Sequence, residues 1–244
     1  MINDILTIMW KELKELFILS KPRRVIIRML LLILFIGVIV PAEFGLNWFN
    51  SYITIYYWVW FSCFIVIGPA ANSIIRERTS NSLETLLASR LPDKSIYMGK
   101  LSSGIMYSSF ILIISILVSV ITININEWNG NIDFFSPHIF FEGILLSFFS
   151  MLSIGGLSFI SSLKVKNPLR AIQIINLIIL ILIIPDVYFY RSSSPRYEKM
   201  QFVERFNYVV NNYVIVLTFI VLFISTVLIF NFLRKKFNRI YLLK

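Results

Sequence analysis

Cysteine and histidine are nearly absent from this sequence, in which Cys63 and His138 each occur once among 244 residues. A single cysteine excludes a disulfide within the chain, and no Cys/His spacing typical of a metal site is present. Acidic residues are also few, with 13 Asp and Glu against 23 Lys and Arg. No paired aspartates, Ser/Lys pair or His-rich group lies within the apolar stretches, so an intramembrane enzyme is not indicated. We therefore expect no catalytic residues, no metal site and no bound cofactor in this chain.

Long apolar stretches dominate the sequence instead. Apolar residues make up 57% of the chain, more than a soluble domain of this length could bury. A helix needs about 20 mostly apolar residues to cross the roughly 30 Å of hydrocarbon in a membrane. Since the alternating pattern of a membrane barrel is lacking, we predict an all-α, multi-pass membrane protein with a single transmembrane domain over residues 1–244. Six stretches are long enough to span: 25–44, 51–72, 99–123, 139–163, 169–188 and 211–233.

Basic residues are distributed unevenly around these stretches. Nineteen of the 23 Lys and Arg precede or enter the first stretch, lie in 73–100, lie in 164–170 or belong to the C-terminal tail. Because cytoplasmic loops carry the excess of Lys and Arg, both termini are predicted to be cytoplasmic. Membrane topology and anionic lipid headgroups account for the net charge of +10, and nucleic-acid binding is not indicated.

Residues 1–22 predict a helix with apolar and charged side chains on different faces. Such a helix lies in the membrane interface, here with Trp10 at the level of the headgroups, and Pro22 ends it. It is either a simple membrane anchor or an elbow helix that braces a moving bundle and contacts a cytosolic protein. The apolar face holds Ile2, Ile5, Leu6, Met9, Trp10, Leu13, Leu16 and Phe17, and the other face holds Asp4, Lys11, Glu12, Lys14 and Glu15.

Residues 73–98 interrupt the apolar stretches with a charged segment that has helix start and stop signals. Asn81 can cap a short helix whose third residue, Glu84, reaches back to the cap, and Pro92 prevents much continuation. The segment is either a basic loop on the membrane surface or a helix that docks into a groove of another protein. A charge cluster of Arg76, Glu77 and Arg78 precedes the helix, whose apolar stripe is Leu83, Leu86 and Leu87.

This central segment resembles the signature of ABC type-2 (ABC-2) exporter permeases. In that family the pattern is roughly E-R-x-x-x-T-L-E-x-L-L-x-x-P, followed a few residues later by G-K. The chain departs from it at Ser82, where Thr is commoner, and at Arg90-Leu91, which delays the proline. Trp10-Lys11-Glu12-Leu13 is similar to the K-E-L of the family's elbow helix. The matching residues are Glu77-Arg78-Thr79, Leu83-Glu84-Thr85-Leu86-Leu87-Ala88-Ser89, Leu91-Pro92 and Gly99-Lys100.

The resemblance implies a specific assembly in a prokaryotic cell membrane. Two permease subunits, identical or homologous, form the substrate pathway between them, and each receives a cytosolic ATPase on a coupling helix within 73–98. This chain has no G-x-x-x-x-G-K-[ST] motif, so the separate ATPase would bind ATP and Mg. Closure of the ATPase pair would rock the spans between inward- and outward-facing states. In the external loop, 186–210, the family favours short helices that dip back towards the membrane over a solvated loop.

A second function class stays open at this stage. A non-transporting scaffold or signalling subunit could dock an ATPase on the same helix without exporting anything. The substrate is equally open, because lipid, hydrophobic drug, peptide and small ion all fit an apolar bundle with no diagnostic polar site.

Overall fold

The computed structural model describes residues 1–18, 22–79, 90–128, 130–164 and 212–236. Within these ranges every regular element is helical. In chain order the elements are α1 (Ile2–Ile18), α2 (Pro22–Leu34), a π-helical turn (Phe35–Ile39), α3 (Val40–Phe44), α4 (Asn47–Asn50), α5 (Tyr52–Thr79), α6 (Asp93–Asn126), α7 (Pro137–Lys164) and α8 (Asn212–Lys236).

Five segments of the described chain are long and apolar enough to cross a membrane, as expected of a multi-pass membrane protein. They coincide with five of the six predicted stretches, which confirms the all-helical, multi-pass prediction for these ranges. The stretch 169–188 and the loop 186–210 lie outside the described residues, so the count of six spans stays a prediction. The five segments are Ile26–Phe44, Tyr52–Glu77, Asp93–Asn126, Pro137–Ser162 and Ile215–Leu233.

Helix α5 is central to the bundle and packs against both α6 and α7, while α8 packs on α7. A buried serine joins two of these helices by a hydrogen bond: Ser158 Oγ of α7 donates to the Ile67 carbonyl of α5 at 2.9 Å. Helix α1 lies along the first half of α6. We call the end of the bundle that holds α1, the end of α5 and the start of α6 the proximal end, and the opposite end the distal end.

The first membrane segment is interrupted by the π-helical turn, and proline explains why. Pro41 has no N–H to donate to the carbonyl of Gly37, four residues earlier. Thr122 of α6 supplies a shared donor instead, since its Oγ1 lies 2.9 Å from that carbonyl oxygen and 2.9 Å from the Val118 carbonyl oxygen. Glycine is needed there because a Cβ at residue 37 would lie 2.9 Å from Val118 Cγ1. The interruption therefore coincides with the closest approach of this segment to α6.

Aromatic rings pack the distal end. Trp48 and Trp58 are fully buried. Phe135, in the connection between α6 and α7, makes edge-on contacts with Phe49 and Trp58, with ring centroids 4.8 and 5.0 Å apart. Such contacts stabilise by about 0.5–1.5 kcal/mol each beyond the burial of area. The connection is thereby anchored to the end of the bundle.

Candidate functional site

Helix α1 approaches α6 so closely because residue 99 is glycine. A Cβ at Gly99 would lie 2.7 Å from the Cβ of Ile8 and 3.0 Å from the carbonyl oxygen of Ile5. Close approach of one backbone to another is a standard reason for glycine. Ile8 and Leu13 are buried on the side of α1 that makes this contact. The contact brings the middle of α1 level with the first turns of α6.

A cluster of charged side chains fills the junction of α1, α5 and α6. Lys100 of α6 is its centre: its Nζ contacts Glu12 Oε1 of α1 and lies 2.9 Å from Glu77 Oε1 of α5. The same ammonium donates to the carbonyl oxygen of Ser73 at 3.1 Å. One lysine therefore ties α6 to both neighbouring helices. We call this set the proximal charge cluster; its members are Lys11, Glu12, Glu15, Arg76, Glu77 and Lys100.

Two more cations complete the cluster. Arg76 Nη2 lies 3.1 Å from Glu12 Oε2 and 4.0 Å from Glu15 Oε2, so α5 is joined to α1 as well. Lys11 Nζ lies 3.5 Å from both Glu77 Oε1 and Glu15 Oε1. Three cations therefore face three carboxylates, and the cluster is neutral as a whole.

Burial makes this arrangement energetically demanding. The side chains of Lys100 and Glu12 are each 1% exposed, and that of Glu77 is 5% exposed. Removing an ion from water costs several kcal/mol, which only well-placed opposite charges and hydrogen bonds offset. Each of the three buried ions has such contacts. The cluster holds together as a unit, and the loss of one member leaves another charge buried without compensation.

Lys11 lies at the edge of the cluster, with its side chain 49% exposed. Burial lowers the pKa of its ammonium, but the carboxylates of Glu77, Glu15 and Glu12 outweigh that effect. The net result is a pKa above the ordinary value for lysine. Lys11 is therefore fully charged at physiological pH and contributes to the neutrality of the cluster.

The predicted elbow-helix residues separate onto two sides of α1. Leu13 packs inward, while Trp10 is 57% exposed and has Lys14 Nζ 5.8 Å from its ring centroid. Glu12 differs most from expectation, because the helical pattern assigns it to the charged face but it is almost fully buried. An amphipathic pattern cannot distinguish a face turned to water from one that meets a buried lysine. The exposed side of α1 carries the apolar side chains of Ile2, Leu6, Trp10 and Phe17.

The predicted coupling residues are only partly described. Arg76 and Glu77 belong to the proximal charge cluster, and Arg78 lies in the last turn of α5. Pro92 is exposed and is the N-cap residue of α6, where no side chain makes a capping hydrogen bond. The proposed docking stripe with its capping residues lies outside the described residues: Asn81, Leu83, Glu84, Leu86 and Leu87.

Lys100 was not predicted as a site residue, although Gly99-Lys100 belongs to the family-like pattern and lies at the start of an apolar stretch. A lysine at the edge of an apolar stretch is usually explained by topology, and its carboxylate partner lies 88 residues away. In the described ranges, no group of three His, Cys, Asp or Glu side chains could hold a metal ion. The geometry shows a fixed joint between the middle of α1, the end of α5 and the start of α6.

Comparison with family models, with curated proteins and with solved structures finds no match to this chain. The resemblance to ABC-2 permeases therefore rests on the residues named above.

Proposed function

We propose that this chain is the transmembrane subunit of an ATP-driven ABC exporter, which pairs with a second permease subunit and is driven by separate cytosolic ATPases. One observation carries the proposal. The proximal charge cluster joins Glu12 of the elbow-like K-E-L, Glu77 of the E-R pair and Lys100 of the G-K pair. Three separate parts of the family-like pattern thus meet at one point, which is expected if the pattern has one mechanical purpose.

The purpose follows from where the cluster lies. The segment between Thr79 and Asp93 connects α5 to α6 and contains the proposed docking helix. Glu77 lies just before this segment and Lys100 just after it, and their side chains are 2.9 Å apart. A push on the segment by an ATPase therefore cannot displace the end of one helix alone. It moves the ends of α5 and α6 together, with α1 attached through Glu12.

The joint is strong on the scale of protein stability. Removing one member of a buried ion pair destabilises a protein by about 3–5 kcal/mol, because the other charge stays buried without compensation. Helix ends tied by two such contacts to Lys100 move as one body, so displacement is passed to the distal end rather than absorbed locally. The exposed apolar side of α1 fits the membrane interface, where it would guide such movement along the membrane plane.

The proposal is tested by purifying the chain with its ATPase and following an ATP-dependent change at the distal end. In a Cys63→Ser background, Phe134→Cys places a thiol at a position that is 69% exposed in the connection after α6. We expect two permease chains with two ATPases, and a labelling rate of this thiol that changes on addition of ATP. Failure to recover any ATPase with the chain overturns the proposal.

The same measurement separates the exporter from the scaffold or signalling subunit. A scaffold binds the ATPase but has no pathway to open, so the labelling rate at residue 134 does not respond to ATP. As a matched test of the joint, Lys100→Met should retain the ATPase and lose the ATP response. Lys94→Met changes an exposed lysine on the same helix and should keep both.

A further inference from the structure

A shallow groove lies at the distal end of α6, and nothing in the proposed function accounts for it. Its volume is about 460 Å³, within the range of roughly 300–1,000 Å³ typical of small-molecule sites. Its side chains are unusually exposed for their apolar character: Ile121 59%, Ile125 72%, Trp128 62% and Ile132 60%. We call this the distal groove; it is lined by Val120, Ile121, Asn124, Ile125, Trp128 and Ile132.

The groove is a built feature, since a backbone connection is fixed to form one wall. After α6 ends, the chain turns at Gly130, whose φ is +87°, and comes back alongside the helix. Asn124 holds it there: its Nδ2 donates to the Asp133 carbonyl at 2.9 Å, and its Oδ1 accepts from the Asp133 N–H at 2.8 Å. Ile132 is thereby kept beside Ile125 and Trp128 instead of extending away from the bundle.

The lining has few polar groups that could recognise a headgroup or a hydrophilic ligand. The remaining Nδ2 hydrogen of Asn124 is donated to the Val120 carbonyl at 2.8 Å, so both hydrogens of this amide are bonded to backbone. The other lining side chains are hydrocarbon, apart from the indole of Trp128. Only an occupant that gains by leaving water or by filling an apolar surface is stabilised here, which means a hydrocarbon chain.

The position of the groove along α6 indicates that a membrane lipid supplies the hydrocarbon chain. Helix α6 has 34 residues and is therefore about 51 Å long, while the hydrocarbon of a membrane is about 30 Å thick. The proximal charge cluster at Lys100 marks one boundary. The opposite boundary then falls about 20 residues later, near Val120, or somewhat further along if the helix is tilted. The groove lies at this boundary, with Trp128 at the level where tryptophan is enriched.

A second copy of the chain is a poorer occupant. A stable protein interface uses about 20–30 residues on each side, whereas six residues of the described ranges line the groove. The groove is also continuous with the exposed apolar surface of α6 at Ile113 and Leu117, which faces outward along the spanning helix. Its surroundings are those of a lipid-facing surface that extends past the hydrocarbon boundary.

From this combination we infer that the distal groove seats one acyl chain of a phospholipid from the adjoining leaflet, drawn up beside α6 to the level of Trp128. This inference does not depend on the exporter proposal. It distinguishes the groove from ordinary lipid contact in two respects. The acyl chain should contact residues 120–132 in preference to the rest of α6. The identity of the lipid headgroup should have little effect on this preference.

Photo-crosslinking of the full chain in bilayers tests both points. The probe is a phosphatidylcholine with a diazirine on one acyl chain near the ester, included at a low fraction and mapped by peptide after irradiation. We expect labelling of the 120–132 peptide to exceed that of the 106–117 peptide several-fold. A phosphatidylglycerol with the same diazirine chain should give the same ratio.

Ile125→Trp fills the groove while keeping it apolar, and should lower the labelling of 120–132 several-fold. Phe141→Trp is the matched control, because Phe141 is 70% exposed at the same end of the bundle and lies outside the groove; it should change nothing. Ile132→Trp repeats the test on the other wall. Even labelling along α6, a strong dependence on headgroup, or covalent chain–chain products from an Ile132→Cys variant would each overturn the inference.

Discussion

Lys100→Met removes the central charge of the proximal charge cluster and is the most direct probe of the joint. Methionine keeps most of the length and apolar volume of lysine, so packing against α1 is largely retained. What is lost are the contacts to Glu12 and Glu77 and the hydrogen bond to the Ser73 carbonyl. Two cations then face three carboxylates, and the two carboxylates nearest the change are almost fully buried.

The size of the effect follows from that imbalance. Removing one member of a buried ion pair destabilises a protein by about 3–5 kcal/mol, because the other charge stays buried without compensation. At about 1.4 kcal/mol for each factor of ten, the unfolding equilibrium constant should rise roughly 100-fold to several thousand-fold. Glu12→Gln should have a comparable effect, since it leaves Lys100 and Arg76 with fewer carboxylates.

The double variant Glu12→Gln/Lys100→Met gives the decisive comparison. It restores neutrality, leaving Lys11 and Arg76 to face Glu15 and Glu77. Its loss of stability should therefore be smaller than the sum of the two single losses, by about 1–3 kcal/mol. Reversible unfolding of the purified protein in mixed micelles, extrapolated to zero denaturant, measures all three values.

Lys94→Met is the control for charge alone, because Lys94 is exposed on the same helix. It should change the free energy of unfolding by less than about 0.5 kcal/mol. The reasoning is refuted if Lys100→Met costs no more than Lys94→Met, or if the single losses of the cycle simply add.

Three further changes test other parts of the structure. Gly99→Ala should separate α1 from α6, because a Cβ there meets Ile8 at 2.7 Å, and should expose α1 to protease; Gly68→Ala, with nothing within 4 Å of a Cβ, should not. Thr122→Val removes the hydroxyl shared by the Gly37 and Val118 carbonyls and should lower the free energy of unfolding by about 1–3 kcal/mol; an unchanged value would contradict this. The raised pKa of Lys11 means that its contribution to stability is present below the ordinary lysine pKa of 10.5 and is lost as pH rises through the higher folded value. The stability difference between wild type and Lys11→Met should accordingly be constant up to about pH 10 and shrink above it.

The positions of the long apolar helices could be predicted from the amino-acid sequence. Bilayer thickness sets the length of a span, and apolar content over about 20 residues is a local property, so five of the predicted stretches coincide with observed helices. A helix near the N-terminus was likewise predictable, because helix periodicity acts within a few residues; α1 covers Ile2–Ile18, and Pro22 is the first residue of α2.

The roles of the polar and small residues of these helices depend on contacts between helices, which the sequence does not show. Glu12 is buried because Lys100, 88 residues along the chain, lies opposite it. The spacing of residues within α1 gives no information about that partner. Gly99 matters because of Ile8 on another helix, and Asn124 because the chain returns to it at Asp133. A helical pattern specifies which residues lie on the same face of a helix. Whether that face is buried depends on which other helix packs against it. That is why the spans could be predicted from the sequence while the proximal charge cluster could not.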